Sequence, residues 1–227
     1  MQRLLMNIYQ RLYQAYGPRH WWPGETPFEV MVGAILTQNT SWRNVEKAIQ
    51  NLKEKGVLYP EGVRRLKRSQ LARLIRSSGY YRMKADRLKG FIEFLFKNYG
   101  GDIERMRKEN LKTLRTKLLT VKGIGPETAD SILLYGLEKP IFVVDAYTKR
   151  ILSRHGMISE NAGYEEVQTL FMDHLPLNAK LFNEYHALLV HLGKAVCKKI
   201  PKCDRCPLKS IEHGAKSIRQ GKDGMLE

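Results

Sequence analysis

Apolar residues return every three or four positions along nearly the whole chain, and that period leaves room for little except helices. Phe28, Met31, Val32 and Ile35 share a face that runs into "TQNT". Val45, Ala48, Ile49 and Leu52 repeat the spacing after an N-cap candidate at Thr40 or Ser41. Leu111, Leu114 and Leu118 mark a third helix, Ala129, Ile132, Leu133 and Gly136 a fourth, and Leu181, Tyr185, Leu188, Leu189 and Leu192 a long one near the C-terminus. "IFVV" at 141–144 is the one strand-like run, too isolated to pair. The expected fold is all-α.

Charge narrows the partners. Lys and Arg number 39 against 23 Asp and Glu, a net +16, which points to a polyanion. The excess is concentrated between Arg64 and Lys89, where ten basic residues meet one acid, Asp86. A solvated helix face would normally mix signs, so a phosphate backbone suits this stretch better. With no apolar run of about 18 residues and no signal-peptide pattern, a cytoplasmic protein with no membrane partner is expected.

"LLTVKGIGPETADSILL" at 118–134 places a Gly-hydrophobic-Gly turn between two helices. Gly123 and Gly125 allow backbone conformations and close approaches that a side chain forbids. Pro126 suits a first helical turn, and the amides exposed there could bind a phosphate. An ordinary helical hairpin would need the same residues. Downstream, Asp145 follows "PIFVV" and precedes a helix, where an N-cap is the usual job of an aspartate.

"VKGIGPETAD" followed by "FVVDAYTKRIL" resembles the helix-hairpin-helix, Gly/Pro loop and aspartate signature of the endonuclease III superfamily of DNA glycosylases. "GAILTQNTSWRNVEKA", "SSGYYRMKADRL" and "HLGKAVCKKIPKCDRC" extend the resemblance over most of 28–206. The resemblance implies a two-lobed all-α enzyme with its active site in the interlobe cleft. One lobe is a central bundle, 28–137, ending in the hairpin; the other combines 1–27 with 138–227. It also implies a monomer that flips a damaged nucleotide out of duplex DNA. Asp145 matches the catalytic aspartate, Gln38 the residue that fills the vacated gap, and Tyr80 the wedge on the opposite strand. Lys122, Gly123, Gly125 and Thr128 fall in the DNA-gripping hairpin.

Members of that superfamily that also cut the strand carry a lysine where this chain has Glu127. A carboxylate forms no imine, so the expectation is a monofunctional enzyme in which water attacks. Trp21, Trp22 and Pro23, with Trp42 and Glu127, resemble the base pocket of the bacterial 3-methyladenine glycosylase branch. Aromatic faces attract a cationic alkylated purine by about 0.5–2 kcal/mol per contact. The same tryptophans could instead pin the N-terminal helix. The alternative is an endonuclease III-like glycosylase and lyase for oxidised pyrimidines, its nucleophile another lysine.

Cys197, Cys203 and Cys206 stand where endonuclease III relatives hold a [4Fe–4S] cluster with four cysteines. A fourth cysteine is missing. His213, Glu212 or an external ligand could complete a cluster, Cys3His could hold zinc, or the loop could be metal-free. The cluster is the favoured expectation, because three cysteines are otherwise hard to explain. Six histidines show no metal-enzyme spacing elsewhere.

Overall fold

The computed structural model describes residues 1–211. They form two compact units, one of Trp22–Pro140 and one of Met1–Trp21 with the chain from Ile141 onward. Among the described residues there are helices and turns but no strand.

The Trp22–Pro140 unit holds α2 (Pro27–Leu36), α3 (Trp42–Glu54), α4 (Pro60–Arg65), α5 (Arg68–Leu74), α6 (Tyr81–Tyr99), α7 (Ile103–Lys108), α8 (Leu111–Leu119) and α9 (Pro126–Ser131). Thr26 starts α2 by accepting from the Glu29 amide at 3.1 Å, with Pro27 in the first turn. Phe28 through Leu36 are all buried, so α2 is enclosed rather than one-sided as the spacing suggests. It packs against α3, α6, α9 and the widened π-turn Ile132–Gly136 that continues α9. Each enclosed Leu, Ile or Val contributes about 1.5–3 kcal/mol. Val45, Ala48, Ile49 and Leu52 form the buried face of α3, as their period requires, and Ser41 is its N-cap without a side-chain bond. The expected single face across Ala129–Gly136 is lost, because the π-turn changes the period and every residue there is buried.

In the other unit, α1 (Gln2–Tyr16) lays Leu5, Ile8 and Leu12 against α12 (Ala179–Ala195), and the Tyr185 hydroxyl donates to the Leu5 carbonyl at 2.8 Å. Helices α10 (Ala146–Arg154) and α11 (Tyr164–Met172) complete it. The strand-like 141–144 run is buried without pairing to another strand. Side chains of α11 serve its backbone instead: Gln168 Nε2 donates to Phe142 O at 2.6 Å, and Tyr164 Oη lies 3.3 Å from the Val144 amide. Phe142 stacks on Phe171 at 3.7 Å with Phe182 and Tyr185 edge-on. This packing delivers Asp145 in a fixed position.

Candidate active site and glycine hairpin

Asp145 is the N-cap of α10. Its Oδ1 accepts from the Thr148 amide at 2.7 Å and the Thr148 hydroxyl at 2.9 Å. Its Oδ2 lies 3.6 Å from His186 Nε2 on α12, and the side chain is 12% exposed. Burial alone would raise its pKa, but His186 and the Thr148 donors outweigh it and hold the carboxyl below the usual carboxylate range. The cap therefore uses one oxygen and leaves the other turned to His186. Thr148 and His186 were not singled out by sequence reasoning. A histidine within the apolar "EYHALLV" period was the available signal.

The hairpin joins α8 to α9. Gly123 has φ +85°, which strains any side chain, and a Cβ there would lie 2.6 Å from the Arg87 side chain and displace it. Gly125 differs from expectation: its φ is −91°, a conformation any residue adopts, and no atom lies within 4 Å of a Cβ placed on it. Arg115 on α8 grips the buried Asp130 on α9 with two bonds, 2.7 and 3.1 Å, fixing the two helices together. Lys122 and Glu127 are exposed.

Gln38 folds onto this turn. Its Nε2 donates to Gly123 O at 3.0 Å and to Thr128 Oγ1 at 2.9 Å, and its Oε1 accepts from Arg87 Nη1. Thr128, expected among the DNA-gripping residues, is buried beneath it. Tyr80 is 67% exposed and left-handed, φ +44°, directly after Gly79 at φ +66°. That conformation costs a bulky residue roughly 1–2 kcal/mol, and it pushes the ring outward at the start of α6.

Of the aromatic group expected at the base pocket, Trp22 and Trp42 come together edge to face at 5.1 Å, with Tyr135 a third ring 5.0 Å from Trp22. Gly33 admits them, since a Cβ there would sit 3.2 Å from the Trp22 ring nitrogen. Trp21 belongs to the other unit, where Lys194 lies 5.8 Å from its ring. Pro23 and Trp42 line a hollow of about 380 Å³ with Glu25, Glu29, Glu46 and Lys53, and Lys53 bridges Glu25 and Glu29 at 2.9 and 3.0 Å. The basic stretch is less uniform than its composition: Arg68 pairs with Asp86, Arg65 with Glu61, Lys89 donates to the Val63 and Arg64 carbonyls, and Lys84 is buried.

Cys197 and Cys206 are buried and Cys203 is exposed. Among the described residues no three His, Cys, Asp or Glu side chains gather into a metal-holding group, and His213 and Glu212 lie outside the described residues. Arginines of α10 hold this loop: Arg150 donates to the Cys197 and Gly193 carbonyls, and Arg154 to those of Lys198 and Lys199 and towards Cys197 Sγ at 3.4 Å. The described residues by themselves do not supply the four ligands of a cluster or a zinc site. No described helix is long and apolar enough to cross a membrane.

Residues 32–177 match the HhH-GPD superfamily of base excision DNA repair proteins. A protein of Methanocaldococcus jannaschii, provisionally named a DNA repair glycosylase, is 49% identical over 92% of this chain and 95% of its own length. Endonuclease III of Thermotoga maritima is 32% identical over 81% of each. Among solved structures, the H. pylori 3-methyladenine DNA glycosylase bound to 1,N6-ethenoadenine superimposes with TM-score 0.71 at 30% identity, covering 85% of this chain and 96% of that one. An endonuclease III–DNA complex shares the fold with TM-score 0.80 at 23% identity, covering 97% and 99%. The chain belongs to the HhH-GPD superfamily of base excision DNA repair proteins, with its all-α fold, and is a DNA glycosylase.

Proposed function

We propose that this glycosylase is monofunctional, acts as a monomer, and releases alkylated purines such as 3-methyladenine from duplex DNA without cutting the strand. The observation that carries the reading is Glu127, an exposed carboxylate in the first turn of α9 where an imine-forming enzyme needs an amine. The hairpin grips the backbone, with the open space at Gly125 leaving room for a phosphate. Gln38 and Tyr80 enter the duplex, and the extruded base is read by aromatic faces supplied by Trp22 and Trp42.

An alkylated purine already carries positive charge, so its glycosidic bond breaks with the electron pair leaving on the base. The sugar's developing oxocarbenium charge meets the ionised Asp145, which is held anionic by Thr148 and His186. Water, oriented by Asp145, adds to the anomeric carbon, and the proton it then carries passes to bulk solvent. The 3-methyladenine activity of the 30% identical H. pylori enzyme supports the substrate class.

The test is base release from methylated duplex DNA, with nicking scored before alkali and borohydride trapping run on abasic DNA. Free 3-methyladenine with no nick and no trapped complex is expected. Trapping that disappears in Lys122→Ala would move the chain to the lyase class, since Lys122 is the exposed amine of the same turn.

A further inference from the structure

Lys84 is 1% exposed, which is unusual for a lysine in a basic stretch. Its ammonium donates to two backbone carbonyls, Leu36 O at 2.7 Å and Ser78 O at 2.6 Å. Leu36 is the last residue of α2, and Ser78 is the last residue of the short turn Arg76–Ser78. Each carbonyl is at the negative end of a helical turn, where a cation is favoured and a bond would otherwise be missing.

The placement of those carbonyls matters more than their number. Leu36 stands two residues before Gln38, and Ser78 two residues before Tyr80. Both segments then pass through left-handed backbone, at Asn39 with φ +52° and at Gly79 and Tyr80 with φ +66° and +44°. One buried ammonium thus fixes the root of the exposed Tyr80 turn and of the segment that folds Gln38 onto the hairpin. The Lys84 amide also bonds to Tyr80 O at 3.0 Å, and one turn along α6 Arg87 reaches Gln38 itself. Neutral packing could fill the same space, but it would leave two buried carbonyls unmet and the segments free to shift independently.

We propose that Lys84 is a positioning residue that sets Gln38 and Tyr80 at a fixed separation, so that both enter a duplex together. This rests on the reading that those two side chains enter DNA, and not on which damaged base is released.

The experiment measures binding to a duplex that carries a stable abasic analogue opposite 2-aminopurine, whose fluorescence reports entry at the opposite strand. Lys84→Met is compared with wild type, and again in a Gln38→Ala/Tyr80→Ala background. If Lys84 acts through those side chains, Lys84→Met weakens binding about tenfold and suppresses the fluorescence change in the wild-type background, but costs less than about twofold in the double variant. Losses that multiply fully in both backgrounds, or an unchanged fluorescence response, overturn the proposal. A Gln38→Ala/Tyr80→Ala protein that binds and responds like wild type overturns the DNA-entry reading itself. Should the methionine variant fail to fold, Lys84→Gln, one bond shorter and uncharged so that it cannot hold both carbonyls, goes through the same cycle with the same criteria.

Discussion

Two carboxylates stand at helix starts, Asp145 capping α10 and Glu127 in the first turn of α9, and their surroundings differ in almost every respect. Asp145 is largely enclosed, with its Oδ1 bound twice by Thr148 and His186 beside Oδ2. Glu127 is exposed. A helix start favours negative charge in both places, so the helix cannot be what distinguishes them. The distinction comes from burial: Asp145 keeps its charge where water is scarce because Thr148 and His186 compensate its enclosure. A carboxylate of that kind can answer a developing positive charge, while an exposed one is screened.

The comparison breaks most sharply at Asp145. Asp145→Asn keeps an equally good cap, so the thermal midpoint should barely move while single-turnover base release falls about a thousandfold. Equal loss of fold and activity would reduce Asp145 to a structural cap. Glu127→Lys is the next largest change in kind. It should create a borohydride-trapped complex on abasic DNA that wild type lacks, and no trapping would mean that this position does not approach the sugar.

His186→Gln sharpens the contrast more modestly. Burial then opposes the Asp145 charge with less compensation, so the carboxyl's pKa rises and the acid limb of the release rate moves to higher pH. Release at pH 5 should fall several-fold, with little loss at pH 8. The smallest expected effect concerns stability. Burial, reinforced by Arg87, lowers Lys84 from 10.5 to about 8. Between those values the unfolded chain binds the extra proton, so stability rises with pH across that window. Denaturation of wild type minus Lys84→Met should show that slope.

The sequence made the helices legible wherever one face is buried, as in α3, and blurred them where a helix is enclosed, as in α2, because enclosure erases the contrast on which periodicity depends. Asp145 was legible because its motif is contiguous. Its partner His186, 41 residues away, was not, and neither was Tyr135 behind Trp22. Lys84 misled for a different reason. Composition counts a lysine as surface charge, and only the fold shows that its charge is turned inward to the backbone. The paired tryptophans read as one feature, yet Trp21 and Trp22 belong to different units.

The division of the chain also sets an order for its synthesis. The Trp22–Pro140 unit is one continuous segment and can begin to pack as soon as it leaves the ribosome. Helix α1 is made before that unit, but the hydroxyl that bonds its Leu5 carbonyl lies 180 residues later. At bacterial or eukaryotic elongation rates, about 10–40 s separate the two. For that interval Leu5, Ile8 and Leu12 have no α12 to cover them. Residues 2–16 are therefore among the last of the described residues to find their native neighbours, and a slow step or a chaperone dependence in biogenesis would be felt there.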